Sequence, residues 1–335
     1  MGRSPALRWG VLGAGRIAAT FVEALRVLPD AAVAVGSRDR RRAEEFGERH
    51  GVPRRHGSYE ELVADASVDV VYVATPHSAH RSAALLALEA GKHVLCEKPF
   101  TVNAAQARKL VDAARSRKLF LMEGMWTRFT PAMADVRRLV ADGSLGELRY
   151  LMADIGWKAP RDPASRLFDP RLGGGALLDI GVYGVSLASM LFGRPSSVDA
   201  TGSVDSGVDL QTSVLLGHPG GAVATLLCTI EATTSTRAVI VGTEGRLDVP
   251  DWYSPSSFIH FGPWGGEART VRHPQRANGM EYEAAEVTRR IHAGETESPA
   301  MPLDETVAIM HTLDTVRGRI GLRYPGEPGY ADERG

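Results

Sequence analysis

Three stretches carry groups capable of chemistry. Residues 173–183, GGGALLDIGVY, set Asp179 and Tyr183 four positions apart in an otherwise apolar run. On a helix the two share one face, one turn apart. A carboxylate and a phenol among leucines and valines are either paired core groups or members of a site, and this stretch alone fits both. Residues 93–103, HVLCEKPFTVN, place Glu97, Lys98 and Pro99 behind a short apolar run. The ammonium there is either a donor and counter-charge for a ligand, or half of a surface Glu–Lys pair before a proline turn, with Thr101 capping the next helix. Residues 10–18, GVLGAGRIA, carry Gly13, Gly15 and Ala18 in a G-x-G-x-x-A frame. In that frame the first glycine permits a tight turn, the second bares backbone to a pyrophosphate, and the small third residue lets helix and strand pack closely. Arg16 and Ile17 then open a helix whose N-terminus faces the phosphates.

These groups need elements to position them. Apolar runs at 8–12, 31–37, 68–75, 92–96 and 119–123 alternate with helical patterns such as 84–91 and 103–117. Continuous apolar strands alternating with helices predict a doubly wound, parallel α/β sheet covered on both faces. In such sheets ligands gather outside the carboxyl ends of the strands, which is where Lys98 falls, together with Thr75, Pro76, His77 and His80 of ATPHSAH. The histidine pair lacks a third ligand at metal spacing, so no metal site is expected. Beyond the second strand, Ser37 and Arg38 stand where a hydroxyl and a guanidinium would bind a ribose 2′-phosphate, and Arg42 lies one helical turn on. Asp39, next in sequence, is either a carboxylate near the tip, where it would repel a 2′-phosphate, or the cap of the next helix. NADP is therefore expected over NAD.

After residue 125 the texture changes. A helix at 131–142, a strand-like run at 146–157 and a Pro/Arg-rich loop at 158–171 precede the helix of Asp179 and Tyr183. From 197 to 261 strands follow one another across short turns, which predicts an antiparallel sheet. Helices are expected at 280–293 and 303–320. The reading is a Rossmann domain at 1–125, an α+β domain on an open, mostly antiparallel sheet at 126–325, and a loose tail at 326–335.

The 335-residue chain is 44% hydrophobic and 24% charged with a formal net charge of -1. That balance shows no basic excess for nucleic acid and no block for a membrane surface. No run approaches the roughly 18 apolar residues of a spanning helix. Cys96 and Cys228 are too few for a disulfide framework, which fits a reduced, cytoplasmic setting.

The ordered trio GVLGAGRIA, CEKP and GGGALLDIGVY resembles the glucose-fructose oxidoreductase / inositol dehydrogenase / MocA family. EGMWTRFTPA with LLDIGVY is most similar to its dihydrodiol and aldose dehydrogenase branch. The family's frequent D-x-x-x-H is D-x-x-x-Y here. The resemblance implies that Lys98, Asp179 and Tyr183 are the catalytic set beside the nicotinamide, that Trp126 and Arg128 line the cofactor and substrate pocket, and that a homodimer or homotetramer forms through the C-terminal sheet. It implies hydride transfer between NADP(H) and a carbinol or ketone carbon of a sugar or cyclic diol, with a nucleotide-linked 3-keto sugar reductase as the alternative and a non-catalytic NADP-binding regulator as the rival of another class. A free tyrosine titrates near pH 10, so use of Tyr183 as a base near neutrality asks for roughly 4 kcal/mol of tyrosinate stabilisation, which an ammonium such as Lys98 supplies. Both Lys98 and Tyr183 stay open as the proton carrier. Trp126 and Trp157 offer faces to a sugar ring; Arg128, Arg161 and Arg166 offer donors to hydroxyls or a phosphate, or are ordinary surface charges.

Overall fold

The computed structural model describes residues 6–162, 165–263 and 266–330. Residues divide into two units by their contacts: Met1–Thr101, Ala105–Phe129 and Arg276–Thr306 form the first, and Val102–Ala104, Thr130–Gln275 and Val307–Gly335 the second.

In the first unit strands and helices alternate as β1 (Arg8–Leu12), α1 (Arg16–Leu25), β2 (Ala31–Gly36), α2 (Arg40–His50), β3 (Arg54–His56), α3 (Tyr59–Val63), β4 (Val70–Val73), α4 (His80–Glu89), β5 (His93–Glu97), α5 (Ala104–Arg117) and β6 (Leu121–Gly124). The strands are parallel in the order β3-β2-β1-β4-β5-β6. That order reverses direction between β1 and β4, which creates the crevice where such sheets take ligands. All of β4 is buried, as expected of a strand covered on both faces. Phe21 of α1 stacks on Tyr72 at 3.8 Å and meets Trp9 edge-on at 5.0 Å, fixing helix to sheet. The sequence reading contained no β3: its residues, Arg-Arg-His, lack an apolar signal because the strand sits at the sheet edge.

The second unit begins with α6 (Pro131–Ala141) and β7 (Leu148–Gly156), then α7 (Val182–Phe192), preceded by a π-type turn at Leu177–Gly181. Strands β8 (Ser197–Asp205), β9 (Val208–Gly217), β10 (Val223–Thr229), β11 (Arg237–Gly242), β12 (Arg246–Pro250), β13 (Ser257–Phe261) and β14 (Ala268–Arg272) follow. They join β7 in one sheet of order β14-β13-β12-β11-β7-β10-β9-β8, antiparallel except where β7 meets β10. Alternation along β7 and β10 buries Leu151, Ala153, Ile155, Ala224, Leu226 and Cys228, while Met152 and Leu215 of the other face are exposed. Contrary to the sequence reading, Pro170–Phe192 holds a window apolar enough to span a bilayer, but 83% of it is buried inside the fold. It is a core helix of this unit.

The chain then returns to the first unit with α8 (Met280–His292), which packs on α1, before α9 (Leu303–Arg319). Thr288 donates to Asp30 at 2.6 Å and Asn278 to the Thr20 carbonyl at 2.9 Å. The sequence reading placed this helix in the second domain. Its amphipathic pattern showed that it packs, not against what. Nor is the stretch from 326 loose as expected, since Glu327 accepts from Arg317 at 2.7 Å and from the Tyr324 N–H at 2.9 Å; residues 331–335 of that expected tail lie outside the described residues.

Candidate active site

Gly13 has φ +106°, and a Cβ there would lie 2.5 Å from the Ala74 carbonyl oxygen, so the turn from β1 admits only glycine. Gly15 differs: a Cβ would meet nothing within 4 Å. Its bare backbone faces open space in front of α1, whose N-terminus has no side-chain cap and no acidic residue in its first turn. That is an anion cradle. Ala18 is fully buried against the sheet, while Arg16 and Ile17 are exposed beside the loop.

At the end of β2, Ser37 is buried and its hydroxyl accepts from the Asp39 N–H at 3.3 Å. Asp39 caps α2, accepting from the Arg41 and Arg42 N–H groups at 3.0 and 3.4 Å. The carboxylate is engaged by the helix N–H groups, and it and Arg38 are both exposed at the strand end. Burial pushes the Tyr59 phenol above its ordinary value, against the pull of the nearby Arg38 and Arg42 charges. Tyr59, which the sequence reading missed, gathers the two arginines. Just past β4 the Thr75 hydroxyl is buried with no hydrogen-bond partner among the described residues. An unsatisfied hydroxyl beside a bare phosphate loop fits a bound dinucleotide.

Lys98 is half-buried at the end of β5, and side chains hold three backbone groups of the turn it opens. The Lys98 N–H donates to Glu97 at 3.2 Å, the Phe100 N–H donates to Glu123 of β6 at 3.0 Å, and the Pro99 carbonyl lies 2.8 Å from His80 Nδ1. Tyr72 donates in turn to Glu97. Glu123 is wholly buried, and burial pushes its carboxyl up to about 7. His80, expected as a cofactor contact, is fully buried with Nε2 at 2.9 Å from the Thr75 carbonyl. It ties two loops together and has no surface for a ligand. His77, which follows Pro76 after β4, and Glu97, the last residue of β5, are buried as well, and Trp126 is half-buried. Arg128 is the second correction: it is buried, donating to Glu305 at 2.7 Å and to the Ala300 carbonyl at 3.2 Å, an internal tie of the first unit.

In the second unit Asp179 lies inside the π-type turn and Tyr183 in the first turn of α7, both almost fully buried. Arg166 donates to Asp179 at 2.9 Å. The ring of Tyr183 lies 6.4 Å from that of Tyr253, an exposed aromatic absent from the sequence reading. Trp157, just past β7, is also exposed. Below the turn, Asp209 accepts from the Leu177 N–H at 2.8 Å and Thr212 at 2.7 Å; burial pushes its carboxyl up to about 6. Arg161 is engaged by Asp205 at 3.0 Å and Glu231 at 3.2 Å on the surface. Among the described residues no group of three or more His, Cys, Asp or Glu side chains forms a metal site.

A doubly wound sheet with a bare phosphate loop, followed by an α+β unit carrying a buried Asp–Tyr helix, defines a nicotinamide-dependent oxidoreductase. The chain belongs to the GFO/IDH/MocA family: the oxidoreductase family's NAD-binding Rossmann fold matches residues 7–125, and the GFO/IDH/MocA C-terminal domain matches residues 133–248. It is an enzyme acting on CH–OH groups. Trans-1,2-dihydrobenzene-1,2-diol dehydrogenases of Mus musculus and Homo sapiens are 40% and 41% identical to it, over 96% of this chain and 98% of theirs. The aldose-aldose oxidoreductase of Caulobacter crescentus, solved with glycerol, matches with a TM-score of 0.85 at 26% identity, covering 94% of this chain and 97% of that one. A 3-ketoreductase from Actinomadura kijaniata, solved with NADP and TDP-benzene, gives 0.84 at 28% identity over 94% and 98%.

Proposed function

We propose that this chain is an NADP(H)-dependent oxidoreductase that interconverts a secondary alcohol and its ketone on a sugar or cyclic diol. The observation that carries the cofactor choice is at the end of β2, where the Asp39 carboxylate accepts the first N–H groups of α2 and Arg38 stands exposed beside it with Arg42 one turn on. A guanidinium there binds a 2′-phosphate, whereas a carboxylate would repel it. The loop at Gly13 and Gly15 holds the pyrophosphate, and Thr75 offers its hydroxyl to the bound group. When bound, the nicotinamide supplies or accepts the hydride.

The protein supplies the proton route. In this reading Tyr183 is the acid/base for the reacting oxygen, Lys98 contributes the positive charge that makes a phenol useful near neutrality, and Asp179 orients the substrate. Lys98 is the alternative proton carrier. Trp157 and Tyr253, both exposed aromatics of the second unit, offer ring faces to an apolar sugar or diol face. The dihydrodiol dehydrogenases support the diol reading by their identity, and the aldose-aldose oxidoreductase supports the sugar reading by its fold and sequence. The 3-ketoreductase favours a second reading, a nucleotide-linked keto sugar. A diphosphate needs cations, however, and Arg128 is buried in an ion pair while Arg161 is held by two carboxylates.

A second copy of this chain is the partner we assign to the open face of the eight-stranded sheet, where Met152 and Leu215 are exposed. The two buried thiols, Cys96 and Cys228, are in keeping with a reducing cytoplasmic setting. The test of function follows nicotinamide absorbance with NADP⁺ and NAD⁺ against trans-dihydrodiols and aldopyranoses, and with NADPH and NADH against free and nucleotide-linked 3-keto sugars. Turnover with a diol or aldose and a preference for NADP⁺ is the expected result. Reduction confined to nucleotide-linked ketones would move the assignment to the second reading, and silence across the panel with NADPH bound would overturn both.

A further inference from the structure

The glycine triplet before the π-type turn does more than end a loop. Gly174 could not carry a side chain: a Cβ would lie 2.6 Å from the Leu167 carbonyl oxygen and 2.7 Å from that of Arg166. Gly175, at φ +106°, donates its N–H to the Leu167 carbonyl at 2.8 Å. Its own Cβ would meet Asp209 at 2.3 Å. The triplet thus lays the backbone of residues 166 and 167 directly against the start of the turn that carries Asp179, and Asp209 grips the same turn through the Leu177 N–H.

One side chain uses this closeness. Arg166 opens a short 3₁₀ turn whose Leu167 N–H is capped by Ser165, and its Nη2 donates to Asp179 Oδ1 at 2.9 Å. The carboxylate side chain is 8% exposed and the guanidinium 44%. A nearly buried carboxylate needs charged or hydrogen-bonding partners to stay ionised in one orientation, and a planar guanidinium at this distance provides a directional, charge-assisted one.

We infer that Arg166 is a positioning residue for the reaction: it holds the Asp179 carboxylate in a single orientation, so that Asp179 accepts a hydrogen bond from a substrate hydroxyl without first rearranging. The inference rests on the reading that Asp179 acts on substrate. It separates Arg166 from two simpler roles. As a direct ligand for substrate hydroxyls it would govern KM. As a staple for the 3₁₀ turn at Arg166–Phe168 it would govern melting temperature and nothing else.

The test compares Arg166→Ala, Arg166→Lys, Asp179→Asn and the double variant Arg166→Ala/Asp179→Asn in the full-length enzyme, with the substrate found by the nicotinamide assay. Misplacing a group that must be aligned costs about tenfold to hundredfold in rate. Arg166→Ala is therefore expected to lower kcat by about that factor with KM nearly unchanged and the melting temperature kept. Guanidinium ion added at non-denaturing concentration should restore part of the loss, because the site is half open to solvent, and Arg166→Lys should retain more activity than Arg166→Ala. In the Asp179→Asn background, Arg166→Ala should add no further loss and guanidinium should restore nothing. A rise in KM with kcat kept, or a loss of kcat and melting temperature together without rescue, overturns the inference. If Asp179→Asn is inactive while Arg166→Ala is fully active, the inference falls and the reading of Asp179 stands. If Asp179→Asn retains full kcat, both fall.

Discussion

Lys98 and Asp179 are both held firmly, by opposite means. Around Lys98 the backbone groups of three consecutive residues are bonded to side chains of Glu97, His80 and Glu123, drawn from β5, α4 and β6. Around Asp179 the holding is steric as well as ionic: glycines let one backbone segment lie on another, and Arg166 reaches the carboxylate. The first region is a polar scaffold buried under a parallel sheet, so its stability answers to protonation. The second is a close backbone approach, so it answers to added volume. A lysine that must present an ammonium tolerates a firm polar bed beneath its turn, and a nearly buried carboxylate needs its neighbours brought close.

The largest effect expected in either region is at Tyr183. Removing a general acid/base costs about a hundredfold to ten-thousandfold in rate. Tyr183→Phe should therefore cut kcat by that order while NADPH binding, followed by fluorescence, stays unchanged. Full activity in that variant would take the phenol out of the mechanism and leave Lys98 as the proton carrier, which would place the chemistry in the first region alone.

Arg38→Ala addresses the first region's other end. A hydrogen bond to a charged group contributes about 1.5–3 kcal/mol, or roughly ten- to a hundredfold in affinity. The variant should lose that much affinity for NADPH and little for NADH in parallel titrations. Equal losses for the two coenzymes would mean that Arg38 does not read the 2′-phosphate.

How much of this was legible depends on what each residue needs from afar. Strand β1 was read at its observed bounds because a strand buried on both faces writes itself as an uninterrupted apolar run. Strand β3 left no such mark. Gly13 and Gly15 were legible because their requirement is local, a turn and a bare backbone. His80 was read as a ligand contact from its place after a strand and Arg128 from the family resemblance, yet their partners, the Pro99 and Thr75 carbonyls and Glu305, are chosen by tertiary packing that no spacing reveals. Glu123 did leave a signal, since it is the one acidic residue in the apolar run 119–123. Asp179 and Tyr183 stood out for the same reason. Their assumed full-turn spacing did not survive: the π-type turn inserts an extra residue, so four positions fall short of one turn there.

Gly174→Ala probes the second region by volume alone. The new methyl would meet two carbonyl oxygens well inside contact distance, so residues 166 and 167 must move off the turn. Overpacking of this kind costs typically about 1–3 kcal/mol. Differential scanning calorimetry should show a lowered melting temperature, and kcat should fall with it because Arg166 moves as well. An unchanged melting temperature would show that the two backbone segments are not held as tightly as the glycines allow.

Glu123→Gln probes the first region by charge alone, and the sign can be worked out. Burial raises this carboxyl from 4.5 to about 7. Between those values the folded protein keeps a proton that the unfolded chain has released, so this residue's contribution to stability is greatest below pH 4.5 and declines as pH rises to 7. At 1.36 kcal/mol per pH unit the decline totals about 3 kcal/mol. A glutamine keeps an oxygen for the Phe100 N–H and has no proton to lose. Relative to the unsubstituted enzyme, Glu123→Gln should gain stability steadily from pH 4.5 to 7 and hold the gain above it, a few degrees in melting temperature for a chain of this size. A difference between the two proteins that stays flat with pH would mean that Glu123 is not the proton-holding member of the bed beneath Lys98.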